Sequence, residues 1–451
     1  MTSNHPQKPE HESGDIRVMI IGDSISQGRE GDWTWRYRIW EWFRQEGIHT
    51  TFVGPYKGTV PPDKPEPPRP PPLPTDPPGP PDGPRTTGGY AAGVSPDFLS
   101  NPDHYSTSGW QAAQAKDRVA DQVAIHQPDI CLVELGFNDL GWFVGGPDET
   151  LANIKAIVDR ARVAKPNLKF AIADVPQRTA IPGRDELPYE IRTFNWLLAR
   201  AIPIWSTDES PIGLAAFCDN YSCGDKTCKA SYDGLHPNAL GEYQLAQAFS
   251  RALIAPPFSF GQHELAIPPS GVIPLRPTPT PANFSAVATP AGVTVTWDSV
   301  YGAIGYELRE EEGDDSWPAP LHLSVPRHDT THCVPNQRWE YQVRTTGGRS
   351  HIGNCGRPLK SPWSKIASAV AHPETAPGPV NIQTHATEDG FSISWDAPPF
   401  PGPGAHHQAN KYEIDRYGVI ILDSDAPGSF PMIVGVPGDE TSAEMRGLVK
   451  G

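Results

Sequence analysis

Between residues 17 and 253, short apolar runs alternate with segments of helical period, and this pattern restricts the fold more than any other feature. Apolar runs fall at 17–22 (RVMIIG), 51–53, 129–135 (DICLVEL), 169–175 (KFAIADV) and 212–217. The spacing of the segments between and after them predicts helices over 34–45, 112–126, 151–164, 189–202 and 237–253. Alternation of this kind implies a parallel sheet with helices on both faces.

Proline interrupts the pattern. Positions 61–84 hold 14 prolines in 24 residues, which excludes helix and central strand and favours polyproline II. This insert, residues 60–88, is expected to be a solvated surface loop. Its PxxP spacings also suit a proline-recognising partner, and its place suits a rim over a site. Residues 256–281 are again proline-rich and read as a stiff linker that holds the C-terminal part of the chain away from the first domain. Strands then recur at 293–297 (VTVTW), 305–309 and 339–345, and a similar start comes at 391–395 (FSISW) and 411–415. Each repeat has a strand ending in Trp, then one carrying Tyr306 or Tyr412. The pattern resembles fibronectin type III β-sandwiches, with Trp297 and Trp395 in the cores and Tyr341 as a tyrosine corner. The expected division is therefore a polar tail at 1–15, an α/β domain at 16–255, the linker, and modules at 282–372 and 376–451. In the second module, 443–448 matches the strand before the corner. The sequence stops short of two strands, so this module is expected to be unstable alone.

At 451 residues the chain exceeds one core, and its net charge of −16 argues against nucleic acid or an anionic membrane surface as partner. No apolar run is long enough to span a membrane. The first 15 residues show no apolar signal segment, which reads as intracellular, or extracellular if the true start lies upstream. Six cysteines pull the other way. Cys223 with Cys228, and Cys333 with Cys355, are candidate disulfides of an oxidising compartment. Cys218, Cys223, Cys228 and His236 also make a C-x4-C-x4-C-x7-H set, looser than the usual structural zinc spacing. Disulfide, zinc site and free thiols are all open.

Four short motifs carry chemistry. Gly22-Asp23-Ser24-Ile25-Ser26 comes after the first strand, where a parallel sheet binds ligands and a helix mouth favours negative charge. Asp233-Gly234-Leu235-His236-Pro237-Asn238 precedes the last helix. A hydroxyl nucleophile needs a base, and a carboxylate three residues upstream can fold back to fix the imidazole tautomer. Gly136-Phe137-Asn138-Asp139 ends the strand at 129–135 and offers an amide donor to an oxyanion. Ser108-Gly109-Trp110 offers a backbone N–H where a ligand can approach closely. Any one of these alone is more often a turn or helix cap.

Together, in this order, they resemble the SGNH (GDSL-type) hydrolase family, whose signature residues match Ser24, Gly109, Asn138 and His236. The resemblance covers roughly residues 16–255. It implies a flavodoxin-like three-layer α/β/α fold with Ser24, His236 and Asp233 as a catalytic triad. It also implies an oxyanion hole from Ser24, Gly109 and Asn138. No metal or organic cofactor is called for. The helix WRYRIWEW, Phe52-Val53-Gly54, Ser108-Gly109-Trp110 and QPDICLVELGFNDL look like the acetyl-xylan-esterase-like branch. That implies a short-acyl ester, with acetyl on carbohydrate as one case. Asp23, Trp110 and Trp142 are the candidate substrate contacts. Two other functions are carried alongside. One is a lipid or thioester acylhydrolase, although no apolar lid is visible. The other is a polysaccharide-binding or adhesion protein whose hydrolase domain is idle and whose β modules make the contacts.

Overall fold

The structure is a computed structural model that describes residues 14–67, 83–312, 317–353, 356–373, 378–398 and 416–447, apart from 423, 426–427 and 429–430. The strand expected at 411–415, Tyr412, Cys355 and most of the proline-rich stretch at 61–84 lie outside the described residues.

In the first domain the elements run β1 (Ile16–Gly22), α1 (Ser24–Gln27), α2 (Trp35–Gln45), β2 (Thr50–Val53), α3 (Pro96–Ser100), β3 (Tyr105–Ser106), α4 (Ala112–Ala115), α5 (Val119–His126), β4 (Ile130–Glu134), α6 (Phe137–Gly141), α7 (Pro147–Ala164), β5 (Lys169–Ala173), α8 (Leu187–Trp205), β6 (Ile212–Ala215), α9 (Phe217–Asn220) and α10 (Ala239–Ile254). The sheet is parallel in the order β2-β1-β4-β5-β6, and the short β3 extends the top of β1. Residues 18–21 and the whole of β4 are buried, so these strands read as unbroken apolar runs because helices cover both faces. Helix α2 packs on α10, while α5, α7 and α8 pack in succession. This is the flavodoxin-like three-layer arrangement. From β1 the chain steps outward to β2, and from β4 it runs the other way to β5 and β6. The loops after β1 and β4 therefore part at a topological switch point and leave a crevice at the strand ends.

Two expected helices differ in detail. The one expected over 112–126 breaks into α4 and α5, and the turn between them brings Lys116 Nζ to Asn153 Oδ1 of α7 at 2.6 Å. The helix after Ser24 is a single turn, too short for a macrodipole to matter.

The segment expected to act as a stand-off linker instead lies on the domain. Phe258, Phe260 and Leu265 join its hydrophobic core. Trp42 Nε1 donates to the His263 carbonyl at 2.7 Å, and Gln247 Nε2 donates to that of Leu265 at 2.8 Å.

Beyond it, β7 (Ser285–Thr289), β8 (Gly292–Thr296) and β11 (Arg327–Thr330) form one antiparallel sheet. It faces a second one of β9 (Gly305–Glu311), β10 (Leu321–Leu323), β12 (Arg338–Arg349), β13 (Pro358–Lys360) and β14 (Ala367–Val370). Val293, Val295, Trp297, Leu308, Trp339 and Val343 fill the space between. Tyr341 is buried, but its hydroxyl meets the Thr330 side-chain oxygen at 2.9 Å rather than a backbone group, so it is not the corner expected. A further sheet pairs β15 (Val380–Ala386), β16 (Phe391–Asp396) and β19 (Ser442–Met445), and β17 (Arg416–Ile421) pairs with β18 (Met432–Pro437). Trp395 packs there against Tyr417, Val419 and Val436. Among the described residues no helix is long and apolar enough to cross a membrane.

Candidate active site

Ser24 comes directly after β1. Gly22 has to be glycine, because a Cβ there would lie 2.3 Å from Ser26 Oγ and 3.0 Å from the Glu134 carbonyl. Asp23 caps the short helix by accepting from the Ile25 N–H at 2.8 Å, which fixes the backbone of Ser24 between them.

His236 and Asp233 come from the loop ahead of α10. Asp233 Oδ1 accepts from the N–H groups of Leu235 at 3.0 Å and His236 at 2.8 Å, and the Ser231 hydroxyl donates to it at 3.2 Å. That turn aims the other oxygen at the ring. Gly234 turns with φ +100, and a Cβ there would strike Thr179 Oγ1. Asp233 Oδ2 lies 2.6 Å from His236 Nδ1, and His236 Nε2 lies 2.9 Å from Ser24 Oγ. With Asp233 ionised, Nδ1 carries the proton and Nε2 is free to accept from the hydroxyl. Burial opposes charge on both groups, yet their mutual attraction wins. Despite burial, the hydrogen bond and charge of His236 bring the Asp233 carboxyl down to about 2. Burial pulls the imidazolium down, but the hydrogen bond and charge of Asp233, then Asp23 and Asp32, lift its pKa above the ordinary value.

Gly109 sits at φ +81 beside Trp142, whose ring would lie 3.2 Å from a Cβ. The Asn138 side chain is held from two sides. Its amide donates to the Trp110 carbonyl at 2.8 Å and to Asp23 Oδ2 at 3.2 Å. Both protons thus have acceptors in the free protein, and donation to an oxyanion requires the longer contact to be shared or released.

Asp23 is not the substrate contact expected. It is 1% exposed, with its oxygens turned to Ile25 and Asn138, so it supports the site from beneath. Trp142 is 56% exposed and Trp110 half-buried, and both line a cleft of about 640 Å³ beside Gly109 with Gln27, Gln114 and Arg118.

A disulfide joins Cys223 and Cys228, which removes two of the three sulfurs of the candidate zinc set. Cys218 and Cys333 are free thiols, and Cys333 Sγ lies 3.1 Å from the Thr330 carbonyl.

Four residues at the site were not singled out from the sequence. Asp139 accepts from the N–H groups of Ala112 at 2.7 Å and Ala113 at 3.0 Å, tying the Asn138 loop to the helix after Gly109. Its place in GFND was the available signal. Glu134, fully buried beneath Ser24, accepts from Ser26 Oγ at 2.7 Å. Burial and then the charge of Asp23 raise its pKa well above the ordinary value, and burial lifts Asp23 to about 6. Asp32 and Tyr232 flank His236, and nothing local in the sequence marks them.

The contacts among Ser24, His236 and Asp233 can deprotonate a hydroxyl at Ser24. Residues 74–243 match the GDSL-like Lipase/Acylhydrolase family, a span that includes Gly109, Asn138, Asp233 and His236 and begins after Ser24. No curated protein matches the chain. Among solved structures, a carbohydrate esterase family 3 protein from Talaromyces cellulolyticus aligns at 24% identity over 53% of this chain and 96% of that one, with a TM-score of 0.39. A family 3 carbohydrate esterase of Clostridium thermocellum aligns at 18% identity over 53% and 96%, with a TM-score of 0.38. Chicken CNTN1 FN1-FN3 domains align at 16% identity over 38% of this chain and 56% of that one, with a TM-score of 0.19. The chain carries a GDSL-like lipase/acylhydrolase domain and is a carboxylic ester hydrolase.

Proposed function

We propose that the chain is a serine esterase of short-acyl esters, acetyl groups on carbohydrate among them, acting through an acyl-enzyme on Ser24. The observation that carries this reading is the unbroken relay from Ser24 Oγ through His236 to Asp233, at 2.9 and 2.6 Å. His236 takes the Ser24 proton as the oxygen attacks the ester carbonyl, and Asp233 steadies the imidazolium. The oxyanion is held by the N–H groups of Ser24 and Gly109 and the amide of Asn138. His236 returns its proton to the leaving alcohol. Water then attacks the acyl-enzyme with His236 again as base, releasing the acid and Ser24.

The cleft beside Gly109 favours a sugar alcohol. Trp110 and Trp142 give flat faces for stacking, and Gln114 and Arg118 give polar contacts. A long acyl chain needs an extended apolar groove, and this lining is not one. The β regions are read as fibronectin type III modules. Support comes from the first, where β7, β8 and β11 face the sheet of β9, β10, β12, β13 and β14 as an antiparallel sandwich. Contact with polysaccharide or protein is their proposed role.

The test is a series of p-nitrophenyl esters from acetyl to decanoyl, then acetylated oligosaccharides. Turnover highest on acetyl and falling with chain length is expected. Activity rising steadily to decanoyl would replace this substrate class with lipid or thioester hydrolysis.

A further inference from the structure

Both loops that carry the triad are held from outside their own domain. The ring of Tyr232 stacks on that of His236, with centroids 5.8 Å apart and planes 16° apart. Tyr232 N–H also donates to the His236 carbonyl at 3.0 Å, so the ring and the loop are fixed together. The carbonyl of Tyr232 in turn accepts from Arg349 N–H, at the end of β12, at 2.8 Å. The β-sandwich backbone approaches there without room for a side chain. Gly348 has φ +71, and a Cβ on it would lie 2.7 Å from Tyr232 Cβ.

The loop after Ser24 is gripped by Arg276. This side chain is only 10% exposed and pairs with the buried carboxylate of Asp32. It donates to the carbonyl of Glu30 at 3.0 Å and to that of Gly302 in the sandwich at 2.5 Å. Its guanidinium lies 6.0 Å from the centroid of the Tyr232 ring. Nearby, Tyr301 of the sandwich donates to the Tyr90 carbonyl at 2.6 Å. The cleft beside Gly109 is lined by first-domain residues alone.

From this geometry we infer that the first β-sandwich, with Arg276 of the segment leading into it, is a positioning element of the esterase: Arg276, Gly348 and Arg349 seat Asp32 and Tyr232 so that His236 faces Ser24. The inference rests on the proposed triad. Because the sandwich touches the loops of base and nucleophile and leaves the cleft alone, it acts on turnover and not on substrate affinity. A displacement of reacting groups by about 1 Å can cost on the order of a hundredfold in rate.

The test uses the full chain with Arg276→Ala, Gly348→Val, Tyr232→Ala and Tyr232→Phe, assayed on p-nitrophenyl acetate beside Ser24→Ala. The first three are expected to lose on the order of ten- to a hundredfold in kcat with KM nearly unchanged. Tyr232→Phe, which keeps the ring, is expected to restore most of that loss. Arg276→Ala combined with Tyr232→Ala is expected to lose less than the product of the two single losses, since both act through His236. Melting curves identify any variant that fails to fold, and Arg276→Ala with the Tyr232 pair suffices if Gly348→Val does. Arg276→Ala keeping kcat within about twofold of wild type would overturn the inference. So would a rise in KM without loss of kcat, or multiplicative losses in the double variant. Activity surviving in Ser24→Ala would instead strike the triad itself.

Discussion

Asp233 divides its two oxygens between two tasks. One accepts from the backbone and shapes the turn, and the other meets the imidazole of His236. In the proposed mechanism the charge that lifts the His236 pKa also sets the pH at which the base works. Catalysis needs the neutral ring, so turnover of the wild type falls as pH drops through a pKa above the ordinary value of 6.5. Asp233→Asn removes the nearest contribution that raises it. The acid limb of kcat/KM is expected to move to lower pH while kcat falls, as a pH–rate profile of both forms would show. An unmoved limb would mean that His236 does not titrate in that limb. Asn138→Ala is expected to lower kcat about 10²–10³-fold on p-nitrophenyl acetate with the fold intact. At this scale Ser24, Gly109, Asn138, Asp233 and His236 were legible because short, ordered motifs carry them. Asp32 and Glu134 were not, since each acts through a contact with a residue far away in sequence, and Tyr232 was not, because its stacking on His236 and its hold from Arg349 arise only in the fold. Asp23 was legible in place but not in role, because burial does not show in a motif.

At the scale of elements, the parallel strands were readable from apolar runs, and helix boundaries fell within a few residues. The break between α4 and α5 was not readable. Its cause is tertiary, since Lys116 reaches across to α7 and Asp139 holds the start of α4. The segment after residue 255 misled for a different reason. Proline density suggested a stiff spacer, while the few apolar residues within it decide its course. Leu265 is buried, its N–H bonds to Ser250 Oγ at 2.9 Å, and its carbonyl is held by Gln247. Leu265→Ala is expected to destabilise the protein by about 2–5 kcal/mol in denaturant unfolding, as a buried Leu truncation does. A change below about 0.5 kcal/mol, the size of a surface substitution, would mean that this segment is not part of the core.

For the whole molecule, strand order explains where the site lies. The chain turns opposite ways after β1 and β4, so the loops bearing Ser24 and Asn138 flank one crevice. The His236 loop reaches the same end from ahead of α10. The sandwich closes over the far side of that loop and leaves the cleft beside Gly109 open. The central claim, that Ser24 is the nucleophile of an ester hydrolase, is tested most directly by hydrolysis of p-nitrophenyl acetate near neutral pH by wild type and Ser24→Ala side by side. Turnover in the wild type and a loss of at least about 10³-fold in the variant are expected. Equal rates in the two proteins would contradict that claim.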